Sequence, residues 1–492
     1  LEPSALLGGV AAAEEFTPGY RSAGLLHDDG LMSRKICDEL GLTKSGLSWR
    51  DQPRARWLAG DNGGISLANS DDDATAQEIS RHNSEDAAHW AQWRRFVNKT
   101  GPALRKLLEQ PPPDVLNSKT LRTAMQVAKA AVSVRALGRE DMFELLRAMP
   151  MASRDFVEDH FQTPLLKAGL VGPGLLGTWG GPWSPGSATP WMLAESINGA
   201  GVVGGPAALV VALAAACEQA GVSIGVGQQI ASIDFVAGRA AGVTLASGET
   251  FTAAAVLSAL DPRTTFLELL HPRDLPLRIE RQTNTFRSRG IVASLLLAVE
   301  GPLDWGAPAD CTSVQVGGSL AALERAFDPV KYGEDSTAPW LDIRIPSVED
   351  GQSAPAGGHV LSILATGFMS PSQGVGPLSG RVVEMPAGER ADAAYDSILG
   401  VLGQHMPEIH SSIVGYKLRL PDQLATEFQL AGGHLWHGEH ALDQLLSFRP
   451  TATCSGGETP IEGLYLASGG IHPGGGVRCV NGVLAARACL AR

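Results

Sequence analysis

The stretch Gly463-Leu464-Tyr465-Leu466-Ala467-Ser468-Gly469-Gly470-Ile471-His472-Pro473-Gly474-Gly475-Gly476-Val477, followed by Asn481-Gly482 and an alanine-rich tail, decides the fold. Gly463–Ala467 is a short apolar run that reads as a buried strand. The glycines after it permit a turn in which backbone approaches a ligand closely. From about Val477 to the end the chain reads as a helix, whose free N–H groups would favour an anionic group such as a phosphate. A glycine-rich loop that only turns has the same composition, so the rest of the chain must decide between the two.

Working outward, Ala207–Ala220 reads as a helix that leads at Gly221 into a short strand, Val222-Ser223-Ile224. Ile230–Val236, Gly242–Leu245 and Phe251–Leu257 follow as strands, with turns at Gly238 and Ser247-Gly248. Further strands are expected at Ile291–Val299, Leu341–Ile345 and His359–Ala365, then a helix over Gly388–Leu402. Upstream, a short helix is expected over Leu31–Leu40, and residues 70–170 have helical periodicity. Ser84 is the expected N-cap there, with Glu85 and Asp86 in the first turn. Asn117 or Ser118 caps a further helix that stops at Gly138. Residues 171–205 are rich in Gly, Pro and Trp and read as irregular. The order is mixed α/β, with a helical block inserted between α/β pieces.

With 492 residues the chain is too long for one ordinary core. Its formal charge of −13 argues against nucleic acid as a partner, because backbone phosphates need a basic surface. The six cysteines are far apart and form no C-x-x-C pair, which suits reduced thiols and a cytoplasmic setting. Gly199–Cys217 carries no charge, but Gly204-Gly205-Pro206 interrupts it, so a buried helix is expected rather than a membrane span.

Several motifs invite a chemical reading. Leu1-Glu2 followed by Gly8-Gly9 fits an acid at a strand end that accepts hydrogen bonds from a ribose. Gly172-Pro173-Gly174-Leu175-Leu176-Gly177 matches a dinucleotide fingerprint in spacing only, since the Gly/Pro/Trp run Trp179–Pro185 cannot form the helix that must follow. His434, His437 and His440 lie within seven residues, but Gly438 opposes a continuous helix and no Cys or acidic cluster is near, so no metal site is expected. No Ser/His/Asp spacing and no carboxylate pair stand out.

Together these residues resemble the phytoene-desaturase-like flavoproteins, nearest the branch that holds the pyridine nucleotide-disulphide oxidoreductase domain-containing proteins. The resemblance is carried by Leu1-Glu2-x5-Gly8-Gly9, Glu14–Gly19, Pro185–Ala188, Gly204–Leu209, Ser258–Pro262, Asp443-Gln444 with Arg449-Pro450, and His472–Val477. It implies a Rossmann-like FAD-binding α/β domain with an inserted α+β substrate domain. The strand–GxGxxG–helix that usually precedes Glu2 is not in this sequence, and the chain is read as lacking its first βα unit. The implied division is FAD-binding parts at 1–68, 196–265 and 426–492, a helical substrate part at 69–195, and a sheet part at 266–425.

By the same resemblance Glu2 holds the adenosine ribose, and Gly8 and Gly9 approach the pyrophosphate. Ile230 meets the adenine. Gly475, Gly476 and Val477 contact the isoalloxazine ring, and Gly469, Gly470 and Asn481 are further cofactor-binding residues. His437 and His472 are candidate catalytic residues. Cys479 and Ser468 stand where the family often has Gly. The implied reaction is hydride transfer from a substrate C–H to flavin, with oxygen or a quinone as electron acceptor. The substrate is expected to be apolar and to lie in a long, mostly apolar pocket walled by the helical block and the strands of 290–365. Such a substrate would suit peripheral membrane contact through the Lys119–Lys129 face. The rival readings are a flavin amine oxidase, which an aromatic cage would mark, and a non-catalytic partner protein.

Overall fold

The computed structural model describes residues 1–61, 63–68, 71–113, 121–308, 311–370 and 387–491. In chain order the strands are β1 (Glu15–Thr17), β2 (Tyr20–Arg21), β3 (Arg56–Gly60), β4 (Gly63–Leu67), β5 (Ile230–Val236), β6 (Arg239–Leu245), β7 (Thr250–Thr252) and β8 (Val256–Ser258). They continue with β9 (Val292–Glu300), β10 (Ser313–Val316), β11 (Leu341–Arg344), β12 (Gly358–Thr366), β13 (Ile413–Arg419) and β14 (Leu464–Leu466). The main sheet has seven strands in the order β13-β9-β12-β11-β10-β3-β4. β14 pairs in parallel with β8, and β5, β6 and β7 form an antiparallel sheet.

Alternation along the strands sorts the main sheet into two unlike faces. Trp57, Val314, Val316, Leu341, Ile343, Leu361 and Ile363 point to one face and pack with Ile398, Leu399 and Leu402 of the helix Ala387–Gly403. The residues between them point to the other face. There Ser313 stands opposite Arg344, and Gln315 opposite Asp342 and Leu58. Arg56, Gln315 and Asp342 on that face are buried all the same.

The helical block covers this polar face. Its members are α2 (Asp72–Ser80), α3 (Ser84–Leu108), α4 (Leu121–Arg135), α5 (Arg139–Ala148), α6 (Ser153–Glu158), α7 (Pro164–Leu175) and α8 (Ala188–Ile197), with α1 (Arg34–Glu39) before them and α9 (Gly205–Gln219) after. Trp93 of α3 stacks on Trp191 of α8 with ring centroids 5.2 Å apart, among Trp90, Phe96, Phe156 and Phe161. Gly169 lets α7 lie against Leu58 of β3, where a Cβ would fall 2.4 Å from the leucine methyls.

The structure corrects several sequence expectations. Residues 171–205 are not irregular throughout: α7 runs on to Leu175 and α8 is wholly new. The small residues there serve helix packing. A Cβ on Gly174 would meet the Trp191 backbone at 2.3 Å, one on Gly172 the Trp340 ring at 2.2 Å, and one on Gly177 the His440 ring at 2.5 Å. Val222-Ser223-Ile224 is not a strand; the chain just beyond it is tied to the N-terminal segment by Glu2 N–H to Gly225 O and Gln228 N–H to Glu2 O. Phe251–Leu257 splits into β7 and β8, which belong to different sheets.

At the helix ends, Asn83 rather than Ser84 caps α3, accepting from the N–H groups of Glu85 and Asp86. The helix expected over Leu31–Leu40 is only Arg34–Glu39. The C-terminal helix begins at Val480, not Val477. α9 buries one side only, with Val211 69% exposed. β3 and β4, placed by the sequence division in the N-terminal part, pair instead into the sheet whose other strands come from 292–419. Asn117, Ser118 and Lys119 lie outside the described residues.

Candidate active site

After β14 the chain folds back on itself. Ser468 Oγ accepts from Gly470 N–H, and Asn481 Nδ2 donates to the carbonyls of Ile471 and His472. The expected cofactor glycines of this loop serve close packing within the protein. A Cβ on Gly475 would lie 2.2 Å from the carbonyl oxygen of Trp436, one on Gly469 2.7 Å from Gly475 Cα, and one on Gly470 2.2 Å from Pro262. Cys479, where the resembled family has Gly, has a left-handed backbone at φ +62, which explains the usual glycine.

Arg449 pins this loop to the chain before it. Its guanidinium donates to the carbonyls of Gly469, Trp436, Gly438 and Glu439 at 2.9 to 3.0 Å. Burial pulls its pKa down to about 9, and the nearby Asp261 opposes that. The sequence singled out Arg449 only as part of a motif; nothing local showed that these four carbonyls converge on it.

Asp28 meets the loop from the other side. Its carboxylate accepts from Val477 N–H at 3.2 Å and from the Trp436 indole N–H at 3.1 Å. Burial raises its pKa against those two donors and the nearby Arg478. A Cβ on Gly476 would fall 2.2 Å from its Oδ2. Asp28 was not foreseen, because it lies among loop residues more than 400 positions from Val477.

Next to Asp28 a cavity of about 110 Å³ lies between the polar face of the main sheet and α7 and α8. β3, β10 and β11 supply Arg56, Gln315, Asp342 and Arg344. The helical side supplies Pro173, Leu176, Pro190, Ala194 and Glu195, and the C-terminal part supplies Trp436, His440 and Arg478. Arg56 pairs with Glu195 at 3.2 Å. His27 Nδ1 bonds Asp342 at 2.7 Å and its Nε2 bonds Ser362 Oγ at 3.0 Å. Burial keeps the His27 pKa low despite that carboxylate. For Asp342 burial alone would raise the pKa, but Arg344 and His27 hold it below the usual carboxylate range.

The helical block and the strands thus wall the cavity together, as expected. The strand side of the lining is polar, because strand alternation sends the apolar side chains of β10 and β11 to the opposite face, and the apolar part of the lining comes from the helical side and Trp436.

The expected catalytic histidines do not line this cavity. His472 is buried, with Nε2 donating to Gln110 O at 3.0 Å, and His437 sits on a left-handed backbone. His434 Nδ1 accepts from Trp436 N–H and Gly438 N–H, a structural role. Of the three clustered histidines, His440 reaches the cavity, which His27 also lines. The Nε2 of His440 has no partner, and burial pushes its pKa well below 6.5.

The N-terminal residues expected at the nucleotide end are brought together. Glu2 lies beside Gly225 and Gln228, in the chain that enters β5 at Ile230. Its carboxylate is engaged only locally, by Ser4 N–H. Gly9 at φ +53 has open space where a Cβ would be, whereas Gly8 is required by Val210 of α9, 2.6 Å from its would-be Cβ. Leu25 N–H bonds Val10 O, so this chain runs on to Asp28 and Val477. An open glycine and, at the adenosine end, a carboxylate engaged only by a neighbouring N–H fit FAD.

The sequence model for flavin containing amine oxidoreductases matches residues 65–368, and the chain belongs to that family. It is an FAD-dependent oxidoreductase. Pyridine nucleotide-disulfide oxidoreductase domain-containing protein 2 of Mus musculus is 29% identical over 96% of this chain and 85% of its own length. The neurosporene-forming phytoene desaturase of Cereibacter sphaeroides is 28% identical over 57% of this chain and 51% of its own. Two solved structures share the fold. An oxidoreductase from Methanosarcina mazei has a TM-score of 0.57 at 12% identity, over 100% of this chain and 93% of its own. Cyclohexylamine oxidase from Brevibacterium oxydans has 0.53 at 12%, over 100% and 91%. Among the described residues no helix is long and apolar enough to cross a membrane.

Proposed function

We propose that the cavity beside Asp28 is the substrate site and that the protein dehydrogenates a C–H bond there, in the manner of a desaturase. Bound FAD would supply the hydride acceptor. Glu2, Gly9, Ile230 and Val477 are the residues we assign to holding it. The observation that carries the reading is that Arg478 reaches the cavity from the end of the glycine-rich loop, and Trp436 and His440 reach it from the segment packed against that loop.

Desaturation removes a hydride from one carbon and a proton from its neighbour, and a side chain must take the proton. Of the titratable groups on the wall, His440 and Asp28 are two that contact the glycine-rich loop. His440 is the poorer base, since burial drives its pKa well down. Asp28 is the better one, since burial raises its pKa, and Val477 N–H and Trp436 Nε1–H fix its orientation. We therefore assign Asp28 Oδ as the proton acceptor.

Amine oxidation is the second reading. It is less well supported, because Trp436 is the one indole or phenyl ring among the described lining residues, whereas an aromatic cage needs more than one. Exposed Met125, Val132, Phe143 and Leu146 on α4 and α5 support a peripheral membrane contact.

The test is the visible spectrum of the FAD-loaded protein, followed anaerobically as candidate substrates are added. Bleaching by compounds with an oxidisable C–C bond and no amine supports dehydrogenation; bleaching by amines alone overturns it. Reoxidation by oxygen and by a quinone, compared side by side, identifies the acceptor. Asp28→Asn should slow bleaching by roughly a hundredfold with FAD affinity retained.

A further inference from the structure

Most charges on the buried face of the main sheet have partners inside the protein. Arg56 pairs with Glu195, and Asp342 accepts from His27 and Arg344. Gln315 is different. It lies in β10 opposite Asp342, is 2% exposed, and lines the cavity, yet neither its Oε1 nor its Nε2 has a partner. Arg344, which also lines the cavity, bonds Ser313 and Asp342 through Nη1 while its Nε is unpartnered. A buried amide and a guanidinium N–H left open at one place are costly unless something fills them.

The open groups are mainly donors. The three carboxylates on the wall, Asp28, Glu195 and Asp342, are each already engaged by an N–H of the protein. An ammonium group would bring more donors to a wall that already has them free. An oxygen that accepts would satisfy them.

We propose that Gln315 and Arg344 form a subsite for an oxygen-bearing head group of the substrate, a carboxylate or carboxamide that accepts from Gln315 Nε2 and Arg344 Nε. The apolar remainder of such a substrate lies along Leu31, Leu176 and Pro190 on the helical side. The cavity of about 110 Å³ takes the head group and the carbons next to it. The substrate is then amphipathic, which the purely apolar reading of the sequence did not provide. The proposal rests on the reading that this cavity is the substrate site.

The test is calorimetric titration of the full chain, with FAD added, using octanoate, octanamide and octylamine. Octanoate or octanamide should bind at least about tenfold more tightly than octylamine, the ratio expected when a site's hydrogen bonds are met or missed. Which of the two binds better tells the acid from the amide. Gln315→Leu should remove the preference and leave octylamine binding unchanged. Gln315→Glu, nearly isosteric, should turn against octanoate while keeping the other two, which separates loss of the subsite from loss of folding. Tightest binding of octylamine, or a head-group preference that survives both substitutions, overturns the proposal. Binding of none of the three overturns the substrate-site reading along with it.

Discussion

Lowering the pH from 8 to 5 sets two kinds of buried group against each other. His434 and His472 are buried, and desolvation holds their pKa values at about 3 and about 4, against an ordinary 6.5. Below pH 6.5 the unfolded chain therefore binds protons that the folded chain refuses. The stability these histidines contribute is complete above 6.5 and is lost as pH falls toward their folded values; at pH 5 the loss is about 2 kcal/mol each.

Asp261 works the other way. Burial raises its pKa to about 7 from 3.8. Its contribution is complete below 3.8 and is lost as pH rises through 7, so acidification from 8 to 5 returns roughly 2.5 kcal/mol. Carboxylates held low by arginine, such as Asp29 and Asp342, titrate below this window. His437, held at about 4, and His440, pushed well below 6.5, add losses of the same sign, so the protein should be less stable at pH 5 than at 8, and Asp261→Asn should lose about 2.5 kcal/mol more than the parent over that range. Asn retains the oxygen that accepts from Arg263 N–H. Urea unfolding followed by tryptophan fluorescence at pH 8, 6.5 and 5 gives both slopes. If the variant shows the same pH dependence as the parent, or is more stable at pH 5 than at 8, the burial argument is wrong.

Three other outcomes are expected. Arg449→Lys cannot reach the carbonyls that the planar guanidinium serves, and should cost roughly 3 kcal/mol in urea unfolding. Gly475→Ala drives a Cβ into Trp436 O and should prevent stable folding, whereas Gly9→Ala, with open space around it, should cost only about 1 kcal/mol while weakening FAD retention measured by absorbance after desalting. Glu195→Gln leaves Arg56 without its carboxylate on a buried wall and should destabilise by about 3 kcal/mol, read from the thermal midpoint.

Local chemistry in the sequence was enough for the strand at Leu464–Leu466, the glycine-rich loop, the helical block, β5 and the strands β9, β11 and β12 within a residue or so, because apolar periodicity and turn residues act over short range. It was enough for the flavoprotein family as well, through motifs whose glycines have few alternatives. The site itself was decided by tertiary structure. Asp28, Gln315 and Arg344 are each unremarkable locally, one polar residue in a loop or one alternate position in an apolar strand, and nothing local sets His440 apart from His434 and His437. The sole trace of the polar wall was the alternation Leu341-Asp342-Ile343-Arg344, which reads equally as a strand half open to solvent. Whether the polar half faces water or a closed cavity depends on what covers the sheet. Here α7 and α8 cover it, and they can lie that close because Gly169, Gly172 and Gly174 carry no side chain where Leu58, Trp340 and Trp191 pack.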